Sequence, residues 1–136
     1  MTNEDEVLRV LSPRGFEVVD PSTLSVAEQI STFATADVIV APHGAALSNL
    51  AFASPGASVL EFFPPDFVQG CYWKLATDVA GLTYRYLVGS GRSPRNGVMA
   101  GATSDVVVGP GDVERALDAL LADRDAASAD RNRAMP

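Results

Sequence analysis

The 136-residue chain is long enough to bury one hydrophobic core but too short for two domains of usual size. Its formal net charge of −7 argues against a nucleic-acid-binding surface, which needs clustered Lys and Arg. The only cysteine, Cys71, excludes an internal disulfide framework. Because the N-terminus is acidic and no apolar run approaches membrane-spanning length, the sequence predicts a soluble, cytoplasmic chain without a membrane span.

The first part of the chain predicts two helices and one strand. An acidic first turn, which suits the positive end of a helix, begins a predicted helix over residues 3–11. Residues 16–19 are predicted to form a short strand. Ser25 and Glu28 have the capping-box spacing, and apolar residues follow at helical intervals, so a second helix is predicted to run to about residue 35.

The next stretch combines a buried strand, a turn and a helix start. The uncharged run from Val38 to Pro42 predicts a strand covered on both faces. His43 and Gly44 follow as a turn, and helical spacing then continues to about Ala53. The first amides of a helix have no partner inside it and favour an anion such as phosphate. In open α/β sheets the ligand crevice lies at the carboxyl ends of the strands. We therefore predict the functional site at the carboxyl end of this strand, around His43.

The second half of the chain continues the alternation of strands and helices. The predicted elements are a strand over 58–63, a helix over 69–80, a strand over 82–88, a loop over 89–103, a short strand over 105–108 and an amphipathic helix from 112. Arg92 and Arg95 of the loop could reach a pyrophosphate, although two loop arginines are usually just solvated. We predict a Rossmann-like parallel sheet flanked by helices over residues 1–125 and a flexible tail over 126–136.

Two side chains near the predicted crevice could carry chemistry. His43 is the only histidine, so neither a two-histidine metal site nor a triad with a second imidazole can be built, and we predict no metal. A neutral His43 could donate one hydrogen bond to a phosphate or sugar oxygen; alternatively, it is a capping or core residue. Glu61 needs a partner if it is buried in its apolar strand. It could accept hydrogen bonds from ribose hydroxyls, or it lies on a solvated edge of the sheet.

Four further residues have open assignments. Asn49 is a mediocre helix former, so its side chain is predicted to bond either a ligand or a neighbouring loop. Tyr72 and Trp73 could stack on a base or sugar, or belong to the core. Gln29 could serve the site, but a surface position is the default.

A succession of residues resembles the catalytic domain of glycosyltransferase family 61 over residues 3 to about 88. The matching residues are Asn3-Glu4, Gly15 to Val19, Leu24-Ser25, Glu28-Gln29, Phe33, Ala36, His43 to Asn49, Gly56, Leu60-Glu61, Pro64-Pro65, Tyr72, Leu75-Ala76 and Tyr84. The resemblance implies the C-terminal half of an inverting, metal-independent GT-B enzyme. Members, which include enzymes of bacterial polysaccharide synthesis, move a sugar from a nucleotide-sugar to a glycan or glycoprotein acceptor.

The resemblance also implies roles for individual residues. His43 would be the catalytic residue, in a diphosphate-facing turn that Gly44, Ala45 and Ala46 complete. Asn49 would support this turn. The remaining implied roles are a donor-nucleoside contact for Glu61, orientation of the turn for Glu28 and Gln29, and a supporting role for Tyr72.

The sequence departs from the family pattern at two places. Ala46 stands where the family usually has glycine, which narrows the space for a phosphate. The leading strand and the N-terminal acceptor-side domain are absent from the sequence. We therefore expect a donor-binding half that needs a second domain or chain, with the nucleotide-sugar as substrate and no cofactor. The alternative is a non-catalytic nucleotide-sugar-binding module or an inactive truncated remnant.

Overall fold

A three-stranded parallel sheet forms the centre of the chain. The computed structural model describes residues 1–79, 81–91 and 104–134. The strands β1 (Val38–Pro42), β2 (Ser58–Phe63) and β3 (Thr83–Val88) lie in the order β1-β2-β3. Both pairs are parallel, with Val38 opposite Ser58 and Ser58 opposite Thr83. The predicted α/β class, with helices flanking a parallel sheet, is confirmed.

Helices cover both faces of this sheet. The α-helices are α1 (Glu4–Leu11), α2 (Val26–Thr35), α3 (Cys71–Asp78) and α4 (Pro110–Ala134), and a 3₁₀ helix spans Ala45–Phe52. Buried side chains of α1 and α4 form one core cluster with Leu60 and Phe62. Buried side chains of α2 and the 3₁₀ helix form a second cluster with Val59.

The alternation of side chains along β2 explains the two clusters. All six residues of β2 are buried, as expected for the central strand of a covered parallel sheet. Because successive side chains point to opposite faces, Leu60 and Phe62 face α1 and α4. Val59 faces the other layer, and Glu61 shares that face because it lies two residues further along. The strand thus places one carboxylate on the side of α2, the 3₁₀ helix and α3.

Two elements in the first half differ from the sequence-based predictions. The strand predicted over residues 16–19 is wrong: these residues form no regular element, and Val18 is 64% exposed. The element after His43 is a 3₁₀ helix rather than an α-helix. The Ser48 hydroxyl and the Asn49 amide both donate to carbonyls three residues back, at 2.7 and 3.1 Å, and such local bonds compete with α-helical geometry.

The C-terminal part also differs from the prediction. Only an isolated antiparallel bridge between Ser90 and Val107 stands where a strand over 105–108 was predicted. The last helix continues past residue 125 to Ala134, where alanines and the ion pair between Asp130 and Arg133 favour the helix. The division into a domain of residues 1–125 and a flexible tail stays a prediction. Ala80 and the arginine loop over 92–103 lie outside the described residues.

The side chain of Asn3 fastens the start of the chain to the segment before α4. Its amide nitrogen donates to the Val108 carbonyl at 2.8 Å, and its amide oxygen accepts from the Val108 backbone N–H at 3.3 Å. The Thr2 backbone N–H donates to the Val106 carbonyl at 3.2 Å. Asn3 therefore completes a short strand-like pairing between residues 105 positions apart.

We expect Asn3→Ala to lower the free energy of unfolding by about 1–3 kcal/mol, because both backbone groups of Val108 lose their side-chain partner. Urea denaturation measures this change. The control is Asn132→Ala, since Asn132 is exposed on α4 and alanine is the better helix former. A loss no larger than that of the control would contradict the structural role of Asn3.

Candidate functional site

His43 lies at the carboxyl end of the sheet, directly after β1. Its backbone N–H donates to the Phe62 carbonyl at 2.8 Å, which continues the parallel pairing with β2 by one residue. The imidazole side chain retains 15% exposure. The predicted location of the site residue, at the edge where α/β sheets bind ligands, therefore matches the observed position of His43.

The imidazole, a buried carboxylate and a phenol form a hydrogen-bonded chain across the three strands. Nδ1 of His43 lies 2.5 Å from Oε1 of Glu61. The hydroxyl of Tyr84 donates to Oε2 of the same carboxylate. The Glu61 side chain is fully buried, so its two contacts replace the water that would otherwise solvate its charge. Among the described residues, Nε2 of His43 has no hydrogen-bond partner.

Aromatic rings surround the imidazole on its remaining sides. The Phe63 ring stacks on it with a centroid distance of 4.9 Å, and the rings of Tyr72 and Phe67 lie at 5.2 and 5.6 Å. The predicted supporting residue Tyr72 is therefore next to His43. Trp73 is instead 55% exposed and makes no ring contact with another described residue.

The turn after His43 leaves backbone donors open. Gly44 has φ 176° and ψ 165°, an extended conformation, and the 3₁₀ helix begins at Ala45. The Gly44 carbonyl accepts a hydrogen bond from the Leu47 N–H at 3.0 Å. The N–H groups of Ala45 and Ala46, in contrast, make no hydrogen bond within the described ranges. Two neighbouring amides are thus free to bind a polar ligand. A Cβ added at Gly44 would meet only the Pro42 carbonyl, at 3.8 Å, so the position is not crowded by protein.

A side-chain pair joins α2 to the 3₁₀ helix behind the turn. The Asn49 amide donates to the Gln29 side-chain oxygen at 3.1 Å, and the Gln29 amide donates to the carbonyls of Pro21 and Leu24 at 3.0 and 3.2 Å. Asn49 thus contacts a neighbouring element of the protein, and Gln29 is part of the same support rather than a surface residue without contacts. Glu28 bonds Ser25 in the predicted capping box and makes no hydrogen bond to the turn among the described residues.

The buried environment changes the acidity of the two tyrosines. Burial, followed by the hydrogen bond to Glu61, raises the pKa of the Tyr84 phenol far above its usual value. Burial also raises the pKa of Tyr72, with further contributions from Cys71 and Glu61. Both phenols are therefore protonated at neutral pH. A protonated Tyr84 hydroxyl donates a hydrogen bond to the carboxylate, which itself has no hydrogen to donate when ionised.

Sequence reasoning missed the contacts that join these residues. It placed His43 and Glu61 at the same edge but did not pair them, and it assigned no role to Tyr84, Phe63 or Phe67. A register argument could have found Tyr84: it pairs with Val59, so it faces the same side as Glu61. Both carboxylate oxygens of Glu61 are hydrogen-bonded within the protein. The predicted contact of Glu61 with ribose hydroxyls stays a prediction.

Two further findings bear on binding partners. Within residues 1–79, 81–91 and 104–134, no group of three or more His, Cys, Asp or Glu side chains is arranged to hold a metal ion. No helix in the described part of the chain is long and apolar enough to cross a membrane. The compartment stays a prediction.

One family model matches the first part of the chain. The family model of Glycosyltransferase 61 matches residues 1–60, which include Gln29, His43, Gly44 and Asn49. The match ends one residue before Glu61, so the carboxylate and Tyr84 lie beyond it. A comparison with curated proteins finds no match. The matched segment therefore supports the glycosyltransferase 61 family for the part of the chain that carries the His43 turn.

Proposed function

We propose that this chain binds a nucleotide-sugar donor for the transfer of a sugar to a glycan or glycoprotein acceptor, as the C-terminal half of an inverting, metal-independent GT-B enzyme. The observation that carries the proposal is the pair of open amides at Ala45 and Ala46 beside His43, at the carboxyl edge of a parallel sheet. Backbone N–H groups in this position are suited to the diphosphate of a nucleotide-sugar.

The surroundings of the turn fit the same ligand. In an inverting transfer the departing nucleotide diphosphate gains negative charge, and donors fixed before the reaction stabilise that charge without reorganisation. The Asn49–Gln29 pair fixes the 3₁₀ helix from behind, so the open amides are held by the protein rather than by the ligand. Tyr72 and Phe67 add apolar surface beside the imidazole for a sugar or base.

In this function His43 is the catalytic residue. The second half of the enzyme supplies the acceptor site. Transfer activity of this chain alone should accordingly be small, and robust transfer by the isolated chain would contradict the need for a second domain or chain. Donor binding, in contrast, can be measured on the isolated chain.

We expect Gly44→Ala to weaken nucleotide-sugar binding at least about tenfold while leaving the fold intact. The added methyl group meets only the Pro42 carbonyl at an ordinary contact distance, and φ at this residue suits alanine, so the change acts on the ligand and not on the protein. Calorimetry with a panel of uridine and guanosine nucleotide-sugars measures the affinity. Thermal unfolding of the variant checks the fold.

The matched control is Gly111→Ala, because Gly111 lies in α4 on the opposite face of the sheet and a Cβ there would meet a flexible Arg115 side chain at 3.4 Å. It should bind like the wild type. Equal affinity of Gly44→Ala and wild type would remove the diphosphate role of the turn. Absence of heat with every donor for the wild-type chain would overturn the proposed function.

A further inference from the structure

We propose that Glu61 and Tyr84 are positioning residues that hold His43 in the Nδ1–H form, so that its Nε2 accepts a hydrogen bond from a hydroxyl of the donor sugar or of the acceptor carbohydrate, and not from the nucleotide. The identity of the ligand rests on the proposed function, whereas the orientation of the imidazole does not. This role differs from the donation to a phosphate or sugar oxygen that the sequence predicts for His43, because Nε2 is here the acceptor. It also gives Glu61 a partner inside the protein in place of the nucleoside.

The donor and acceptor capacities of the three groups determine where the bridging proton lies. An ionised carboxylate only accepts hydrogen bonds, and a protonated phenol can donate one. The Tyr84 hydroxyl donates to Oε2 of Glu61, and the other oxygen, Oε1, lies 2.5 Å from Nδ1 of His43. With an ionised Glu61, Nδ1 must therefore carry the proton that bridges it to Oε1.

The protonated Nδ1 leaves Nε2 of His43 as a hydrogen-bond acceptor. A neutral ring has one N–H and one lone pair, so a ring that donates from Nδ1 presents a lone pair at Nε2. At neutral pH a phosphate oxygen cannot donate a hydrogen bond to such a nitrogen, except in a minor protonated form. A sugar hydroxyl can always donate one. Nε2 has no partner among the described residues, and the side chain is 15% exposed, so the nitrogen is available to a ligand.

Tyr84 supplies the constraint that keeps the carboxylate in this orientation. Glu61 is fully buried, and Tyr84 is its only hydrogen-bond partner besides His43 among the described residues. Burial and the bond to Glu61 raise the pKa of the Tyr84 phenol, so it stays a donor throughout the neutral range. Loss of this bond frees Oε2 and lets the carboxylate turn away from the imidazole.

The presence of one histidine in the chain makes the test direct. Long-range ¹H–¹⁵N correlation spectra of the ¹⁵N-labelled full chain contain a single imidazole, whose two nitrogen shifts report which nitrogen is protonated. Recorded over a pH series, the neutral form of the wild type should show a protonated Nδ1 and an unprotonated Nε2. A neutral form protonated at Nε2 would overturn the proposal without any variant.

Two variants and one control test the positioning role. We expect Tyr84→Phe to shift the tautomer ratio by about threefold to tenfold, because the carboxylate loses a charge-assisted bond. Glu61→Gln should raise the Nε2–H form further, because a side-chain amide can donate to Nδ1. Tyr86→Phe is the control: Tyr86 is on the same strand and is 58% exposed, and its hydroxyl has no hydrogen bond within residues 1–79, 81–91 and 104–134.

The outcomes separate this proposal from the proposed function. An unchanged ratio in Tyr84→Phe, or an equal change in Tyr86→Phe, would refute the role of Tyr84; if Tyr84→Phe does not fold, the wild-type and Glu61→Gln spectra decide. Ligand arms compare UDP, UDP-glucose and free glucose as probes. A shift of Nε2 with UDP-glucose but not with UDP identifies a hydroxyl of the donor sugar, and a shift with free glucose alone identifies an acceptor hydroxyl. Donor binding with an equal Nε2 shift for UDP and UDP-glucose would retain the proposed function and refute the hydroxyl contact, as would binding without any Nε2 shift.

Discussion

Glu61→Ala should lower the free energy of unfolding by about 3–5 kcal/mol, the combined cost of two hydrogen-bonding groups left without a partner and a cavity in the core. The carboxylate is fully buried in the central strand and bonds both His43 and Tyr84. Its removal leaves the Tyr84 hydroxyl and Nδ1 of His43 without a partner and opens a cavity between the sheet and the helices. Each of these effects destabilises the folded state.

Chemical denaturation followed by circular dichroism measures this loss. Glu17→Ala is the matched control, because Glu17 is exposed and has no hydrogen bond or ion pair in the described part of the chain. Its effect should stay within about 0.5 kcal/mol. A Glu61→Ala variant as stable as the Glu17 control would mean that the buried chain of three groups does not hold the strands together.

The second large effect is expected from Phe62→Ala, at about 3–5 kcal/mol. Phe62 is 1% exposed and lies in the cluster that joins β2 to α1 and α4. Truncation removes apolar surface from the core and leaves a cavity that the surrounding strand and helices can fill only in part. Because Phe62 faces away from His43, the variant should lose stability without a specific loss of ligand affinity.

Phe52→Ala provides the same chemical change at the surface, since Phe52 ends the 3₁₀ helix and is 48% exposed. We expect it to cost less than half as much. Thermal melts and calorimetry at a temperature where both variants are folded separate stability from binding. Comparable losses for the two phenylalanines would place the main core elsewhere than between β2, α1 and α4.

The parts of the fold that were predictable have local signals. Ser25 and Glu28 mark the start of α2 because the two residues bond each other's backbone, and the structure contains both bonds. The apolar run of β2 needs no knowledge of distant residues. The segment over residues 16–19 has the residue types of a strand, but a strand requires a neighbour, and no partner strand is present among the described residues. Such pairing depends on tertiary structure and leaves no local trace.

The site, too, has a part with a local sequence signal and a part without one. His43 was predictable because it follows an apolar strand and precedes a run of small residues. Its contact with Glu61 depends on the parallel register, in which Ala41 lies opposite Glu61 and the chain then brings His43 next to Phe62. The contact of Tyr84 with Glu61 depends on the third strand, where Tyr84 lies 23 residues after the carboxylate. Long-range registers of this kind set the hydrogen bonds of the site, and no spacing within one segment encodes them.

The first residue of α3 gives the site a convenient optical reporter. Cys71 is exposed and is the only thiol in the chain, and it immediately precedes Tyr72, whose ring contacts the imidazole. A maleimide dye would therefore attach at a single position without disturbing a disulfide. Its emission would change when an occupant alters the water around these rings, so ligand screening could proceed by fluorescence before any sugar transfer is detected.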